Sequence, residues 1–538
     1  MLKRLLVGSA AALLFSGTSH AQMGQNLFIG NAKALGLGNA VTADPPGIDA
    51  IHFNPAGLVK MKGRKKHLKF ILGNADISAD FSDGMINGKT YGELIEPTGS
   101  DDPTRNSTSE IESFAVYLPG LGITEVPVIA APVGGMSYNP PGSDVTFATA
   151  AYAPLILGYT RSDDDPGVFY GRELGLARIT YLSPTIGWQL SESLSVGAGI
   201  GFSYMGVGLN LDYRATNYFI GAAESLVNGY CSGIEGQDSL LSGICEEDAS
   251  ISPFERVFTL EVELEETFSP TFNFGVLWEP TSWFSWGLVY QSEAADTLEG
   301  DLTVAINPEL VNFIEGIAGP GAPFNPVIRL LFPGINQELF IDGGNIQRTG
   351  SIDIYMPQHI ATGISLRVFP SLKINLDYKW TETSKWEELD FRFDTPIQTL
   401  ALLNFIDGVS GDALTVPREY EDASNWALGI EYQYNDQVAL RLGYEPRKSG
   451  IPDDKRDFLL PLGDFDLWGA GFEYRISPDQ IFDFAVGYGK IDETVRTGES
   501  TNGNDVRPDN FVYNPSAGQD VHYTTEFLLF EFSYISEF

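Results

Sequence analysis

The chain closes on Leu528-Leu529-Phe530-Glu531-Phe532-Ser533-Tyr534-Ile535-Ser536-Glu537-Phe538. Leu528, Phe530, Phe532, Tyr534 and Phe538 share one parity, broken only by Ser536; Glu531, Ser533 and Glu537 share the other. A two-residue period is that of a β-strand, because successive side chains point to opposite sides of the pleat. One face here is apolar and aromatic, and the other carries carboxylates and hydroxyls. Such a strand suits a wall with lipid on one side and a polar or mixed interior on the other.

The same pattern recurs upstream. Leu372, Ile374, Leu376, Tyr378 and Trp380 alternate with Lys373, Asn375, Asp377, Lys379 and Thr381. A helix would scatter those charges around its axis, whereas a strand separates them. The stretches 426–434, 438–444 and 482–488 repeat the alternation, often with an aromatic residue near a strand end, as an interfacial girdle requires. Fourteen strands are predicted, at about 65–81, 128–138, 145–160, 176–190, 193–214, 255–279, 283–304, 351–369, 371–391, 421–435, 437–447, 463–476, 480–491 and 521–538. Their connections alternate: brief at 139–144, 191–192, 279–282, 370, 435–436 and 477–479, and long at 82–127, 161–175, 215–254, 305–350, 392–420, 448–462 and 492–520. Short periplasmic turns and long external loops mark a bacterial outer-membrane barrel, as does an even strand count. The fold class expected is therefore all-β, a 14-stranded antiparallel transmembrane β-barrel over 65–538.

At the other end, Lys3 and Arg4 precede an apolar run from Leu5 to Phe15, followed by Ser19-His20-Ala21. Residues 1–21 read as a secretory signal peptide, and the apolar run is too short to span a bilayer as a helix. Residues 22–64 show no strand alternation. They are rich in Gly and Ala, with turn signals at Asp44-Pro45-Pro46-Gly47 and Asn54-Pro55-Ala56-Gly57. So lightly apolar a segment needs surrounding structure to stay ordered.

The formal charge is −38, from 71 acidic and 33 basic residues. This balance argues against nucleic acid as a partner, which calls for a basic footprint. Acidic outer loops offer ligands for divalent cations beside lipopolysaccharide, although a solvated acidic surface is the plainer reading. Cys231 and Cys245 lie close together in one long loop, and an exported chain meets an oxidising compartment, so a local disulfide is expected. Enzymatic signatures are missing: there is no Gly-x-Ser-x-Gly elbow, no metal-binding His doublet, and no third glycine after Gly36-x-Gly38. No metal and no cofactor are implied, and the chain is not expected to be an enzyme.

Gly36-Leu37-Gly38-Asn39-Ala40, Ala43-Asp44 and His52-Phe53-Asn54-Pro55-Ala56-Gly57-Leu58 resemble the start of the FadL-type family of outer-membrane long-chain fatty acid and hydrocarbon transporters. Arg178-Ile179-Thr180-Tyr181-Leu182-Ser183-Pro184, followed by Gly197-Ala198-Gly199, is similar to that family's fourth and fifth strands. The resemblance implies that 22–64 is a hatch plugging the barrel, with Asn54, Pro55 and Ala56 fixing its turn. It also implies passive uptake of hydrophobic molecules through the barrel wall by a monomer that contacts outer-membrane lipids and lipopolysaccharide.

Pro154 sits inside the third strand, where it cannot donate a ladder hydrogen bond. The resemblance makes this strand the site of a lateral gap facing lipid; a plain structural bulge is the alternative. Leu310–Ile314 and Val327–Phe332, with Phe313, Leu330 and Phe332, read as short amphipathic runs in an external loop, hence a capture groove or loop packing. Arg214 and Arg392 fall at external strand ends, and the resemblance implies a carboxylate contact there, against the plainer reading of two surface arginines. Leu27 and Phe28 correspond to the family's N-terminal end, which reaches the ligand pocket. The expected function is an uptake channel for long-chain fatty acids, with alkanes or aromatic hydrocarbons as the alternative cargo. A lipid hydrolase or a loop-displaying adhesin is the rival from another class.

Overall fold

The computed structural model describes residues 29–96, 101–126, 129–214, 256–318, 342–402, 408–506 and 515–537, with Phe254, Pro326, Leu330, Gln337 and Glu338. Its main sheet closes on itself as a 14-stranded antiparallel barrel. The strands are β1 (Gly63–Asp83), β2 (Ile129–Asn139), β3 (Val145–Thr160), β4 (Glu173–Leu182 and Thr185–Ser191), β5 (Leu194–Tyr213), β6 (Phe258–Thr281) and β7 (Phe284–Gln291 and Ala294–Ile306). They continue as β8 (Asn345–Met356 and His359–Phe369), β9 (Leu372–Thr381 and Glu388–Phe393), β10 (Ala413–Pro417 and Ala423–Gln433), β11 (Val438–Arg447), β12 (Phe465–Ser477), β13 (Gln480–Val495) and β14 (Gln519–Glu537). β14 closes the barrel against β1 along an unbroken register from Lys65↔Glu537 to Asp83↔Gln519.

The alternation read from sequence sorts the two faces. Glu531 and Ser533 are buried inside, while Leu528, Trp188, Phe274, Trp278, Tyr378 and Trp468 are exposed on the outer wall, where they meet lipid. Several strands run further outward than their apolar pattern. β8 begins at Asn345 rather than 351, and β13 continues to Val495 rather than 491. Beyond the bilayer the outer face no longer has to be apolar, so the pattern fades before the ladder does. On β6, Glu261, Glu263 and Glu265 occupy that outer face while Val262 and Leu264 stay buried within.

Residues 29–62 fill the barrel. Helix α1 (Ala32–Gly36) starts at Asn31, whose side chain accepts from the Ala34 N–H at 3.0 Å. The Asn54-Pro55-Ala56 turn is buried. Asn54 Oδ1 accepts from the Ala56 N–H at 3.2 Å, and Asn54 Nδ2 donates to the carbonyls of Thr42 (2.8 Å) and Val276 (3.1 Å). One side chain therefore shapes the turn and ties it to β6. The wall meets this segment with glycine: a Cβ on Gly443 would fall 1.9 Å from the Gly38 nitrogen, and one on Gly275 would fall 2.1 Å from Asn54 Oδ1. Polar inward side chains complete the docking. Lys69 on β1 donates to Asp49 (2.7 Å) and to the Ile29 carbonyl (2.9 Å). Glu445 on β11 accepts from Asn39 (3.1 Å), Lys379 (2.6 Å) and Arg447 (2.9 Å).

Candidate functional site

The site begins where the wall stops being a regular ladder. β2 and β3 pair from Tyr138↔Phe147 to Gly134↔Ala151 and no further. Higher up, β3 pairs on that side only through Tyr159 and Thr160, with Phe114 and Ser113 of an added hairpin. Tyr152–Gly158 thus lacks a ladder partner on its β2 side among the described residues. Pro154 sits at the foot of this window. The register with β4 slips there, between Tyr152↔Thr180 and Leu155↔Arg178, so β3 carries one extra residue. A proline tolerates such a site because it has no N–H to satisfy.

The added hairpin (Ser113–Leu118 and Gly122–Val126) falls within 82–127, which the sequence reading treats only as a long loop. Val116 and Tyr117 pack with Ala153, Ile156, Ala177 and Tyr204 on the outer wall beside the window. Gly175, Ala177 and Gly206 keep that wall flat enough for the Tyr117 ring to lie close.

Inside the window lies an apolar cavity of about 120 Å³. Leu155, Leu157 and Leu176 wall it beside the window, Ile77 and Phe527 flank it, and Leu460 belongs to its roof; none of its lining residues is charged. The roof, drawn from 449–463 between β11 and β12, is pinned by side chains of the wall. Tyr159 Oη donates to the Leu459 carbonyl (2.9 Å) and Tyr523 Oη to the Leu462 carbonyl (3.1 Å), and Arg418 and Asp457 form a buried ion pair.

A smaller cavity of about 70 Å³ lies further down β3 and β4, lined by His52, Tyr152, Pro154, Arg178 and Phe272 among others. Leu176 and Arg178 are successive inward residues of β4, so one side chain faces each cavity. Arg178 is buried and donates to Asp296 (2.8 Å) and to Ser269 Oγ (2.6 Å). Neither its burial nor its partners were anticipated. The available signal was a guanidinium on the inward parity of β4.

The remaining sequence-predicted residues scatter. Arg214 lines neither cavity. It is buried at the external end of β5, donates to Asp102 (2.7 Å) and to the Pro515 carbonyl (2.6 Å), and lies 4.6 Å above the Phe169 ring. Burial pushes the Asp102 carboxyl up, but Arg214 and the hydrogen bonds from Thr104 together hold the group below the usual carboxylate range. Arg392 is exposed on β9 and pairs with Asp390 at 2.7 Å, also away from both cavities. Phe313 falls in helix α2 (Pro308–Ala318), as the amphipathic run suggested, and Leu330 is 81 % exposed. Leu27, Phe28, Cys231, Cys245, Phe332 and Phe538 lie outside the described residues.

Known proteins supply the context. A family described as "Outer membrane protein transport protein (OMPP1/FadL/TodX)" matches residues 15–527. The long-chain fatty acid transport protein of Escherichia coli O6:H1 (strain CFT073) is 28 % identical over 218 residues, 40 % of this chain and 41 % of that protein. The protein of the same name from Salmonella typhi is 25 % identical over 221 residues, 40 % of this chain and 41 % of its own length. The chain thus spans about two-fifths of the length of the curated relatives it matches. Among solved structures, a Pseudomonas aeruginosa FadL homologue is 16 % identical with a TM-score of 0.65, covering 97 % of this chain and 100 % of that one. The Ralstonia pickettii toluene transporter TbuX is 15 % identical with a TM-score of 0.56, covering 95 % and 99 %. Both share the fold. With the family match running over nearly the whole barrel, the chain belongs to the OMPP1/FadL/TodX family of outer-membrane transport proteins.

Proposed function

We propose that this protein is a passive uptake channel for hydrophobic compounds, with long-chain fatty acids as its principal cargo. Residues 1–21 are removed on export, and the mature chain works as a monomer among outer-membrane lipids and lipopolysaccharide. The observation that carries the reading is the apolar cavity set directly against an unpaired window at Pro154. Each methylene gains roughly 0.8 kcal/mol on leaving water, so cargo in that cavity is drawn sideways into bilayer rather than down into the periplasm. The hatch bars the straight aqueous route.

The Escherichia coli and Salmonella typhi relatives are named for long-chain fatty acid transport, which supports that cargo. One observation favours the second reading, an uncharged hydrocarbon: no charged side chain lines the apolar cavity, and neither Arg214 nor Arg392 reaches it. Uptake of radiolabelled oleate, hexadecane and toluene by cells with and without the gene tests both. Gene-dependent oleate uptake is expected. Gene-dependent uptake of the hydrocarbons alone would transfer the assignment to the second reading, and no gene-dependent uptake of any of them would overturn both.

A further inference from the structure

The wall is interrupted a second time, away from the window. β6 and β7 pair from Phe258↔Ile306 to Glu265↔Glu299, and again from Asn273↔Gln291 to Trp278↔Trp286. Both stretches keep the same register. Between them, Glu266–Phe272 and Ser292–Leu298 face each other without ladder pairing among the described residues. The lower end is closed by two bonds, from the Ser292 N–H to the Phe272 carbonyl (2.8 Å) and from the Phe272 N–H to Ser292 Oγ (2.9 Å). Pro270 lies in the gap, and the opposite edge of β6 bulges there against β5, between Ser203↔Ser269 and Met205↔Glu266.

Side chains stand in for the missing ladder. Arg178 reaches across from β4 and donates to Asp296 on the β7 lip and to Ser269 on the β6 lip, and Ser269 Oγ donates to Asp296 at 2.7 Å. All three residues are buried. Arg178 also lines the smaller cavity, as do Pro154 and, from the lips, Thr271, Phe272 and Ser292. Outside, Phe268 and Phe272 are 59 % and 57 % exposed, and Phe268 stacks on Phe202 with ring centroids 5.6 Å apart. A buried ion pair seldom contributes much net stability, so its place between two free edges calls for another reason.

We propose that the β6–β7 slit is a second lateral exit to the bilayer, held shut by the Arg178–Asp296–Ser269 latch. It rests on the uptake reading above and shares its apolar cargo. The unchanged register on either side is what makes the device workable: the lips part by rotation of three side chains, and neither flanking ladder has to slip. A molecule in the smaller cavity then has two ways out, past Pro154 or past Phe272.

The test uses the full-length protein in cells. Ala153→Trp narrows the first window from outside; Ser269→Ala loosens the latch while keeping the Arg178–Asp296 pair. In the Ala153→Trp background oleate uptake persists at a reduced rate, and adding Ser269→Ala raises it roughly threefold, the scale of one lost net hydrogen bond. Independently, a tail-diazirine fatty acid photolysed on the unmodified protein labels Ser269 or Asp296, which are buried from the bilayer, as well as the β3 window, a readout that needs no variant to fold. Labelling confined to the window, or uptake unmoved by Ser269→Ala, overturns the second exit. An unmodified protein that takes up none of oleate, hexadecane and toluene overturns the uptake reading itself and this exit with it.

Discussion

The barrel has two unlike sectors. From β11 round to β14 and on to β1 the ladders are long and nearly unbroken: β13 and β14 pair without a slip from Gln480↔Ser536 to Val495↔Val521. From β3 to β7 the strands bulge and lose partners at the Pro154 window and again at the β6–β7 slit. Both sectors contain proline, so composition does not distinguish them. Pro446 pairs with Asp466 inside the intact β11–β12 ladder, while Pro154 marks a register slip. The regular sector closes the cylinder, and on the reading proposed above the interrupted sector supplies the places to pass through. Damage to the first should register as lost stability, and damage to the second as altered transport.

The strongest test of that division is Glu445→Ala. It removes the carboxylate that Lys379, Arg447 and Asn39 all donate to, deep in the regular sector. Taking that shared acceptor from two buried cations should cost about 3–5 kcal/mol, read as a lower urea midpoint for the barrel in detergent. Gly443→Val comes next. Its side chain would occupy the Gly38 backbone, so the hatch must shift, at roughly 1–3 kcal/mol, with faster entry of a small hydrophilic dye into cells. In the interrupted sector, Pro154→Ala should slow oleate uptake severalfold and change stability by no more than about 1 kcal/mol, whereas Pro446→Ala should leave uptake alone. A transport loss with Pro446→Ala equal to that with Pro154→Ala would erase the distinction.

The smallest effect belongs to acid. The Asp102 carboxyl is held below its unfolded value by Arg214 and Thr104, so these contacts contribute stability above about pH 3.9 and lose it as pH falls through the lower folded value. Limited proteolysis should cut near residues 101–107 faster at pH 3 than at pH 5. Asp102→Asn should abolish that difference.

Strand positions were legible because alternation is local: one face of β9 reads Leu372, Ile374, Leu376, and nothing distant is needed to see it. The breaks were not legible, because a missing ladder is a property of two strands together. Pro154 announced a local defect, yet its neighbour on the other side proved to be a hairpin from within the first long loop. The β6–β7 slit left Pro270 and a change of parity, inward at Leu264 and again at Asn273, as its traces in sequence. For Arg214 the resemblance implied a carboxylate contact, against the plainer reading of a surface arginine. Its partner Asp102 stands in another loop, and no spacing rule connects them. Arg178 stood in plain view on the inward parity of β4, but its Asp296 partner lies on a strand that is not adjacent to it.

The β1–β14 seam sets an order of events. It joins residues 65–83 to 519–537, and the stopper is threaded straight into β1 at Gly63. Once that seam has zipped, 29–62 can enter only end-on, through the mouth beside its Gly63 tether. Seating the plug before the last staple of backbone hydrogen bonds forms spares the chain that passage, and a cylinder stoppered from birth rather than corked afterwards is the order expected.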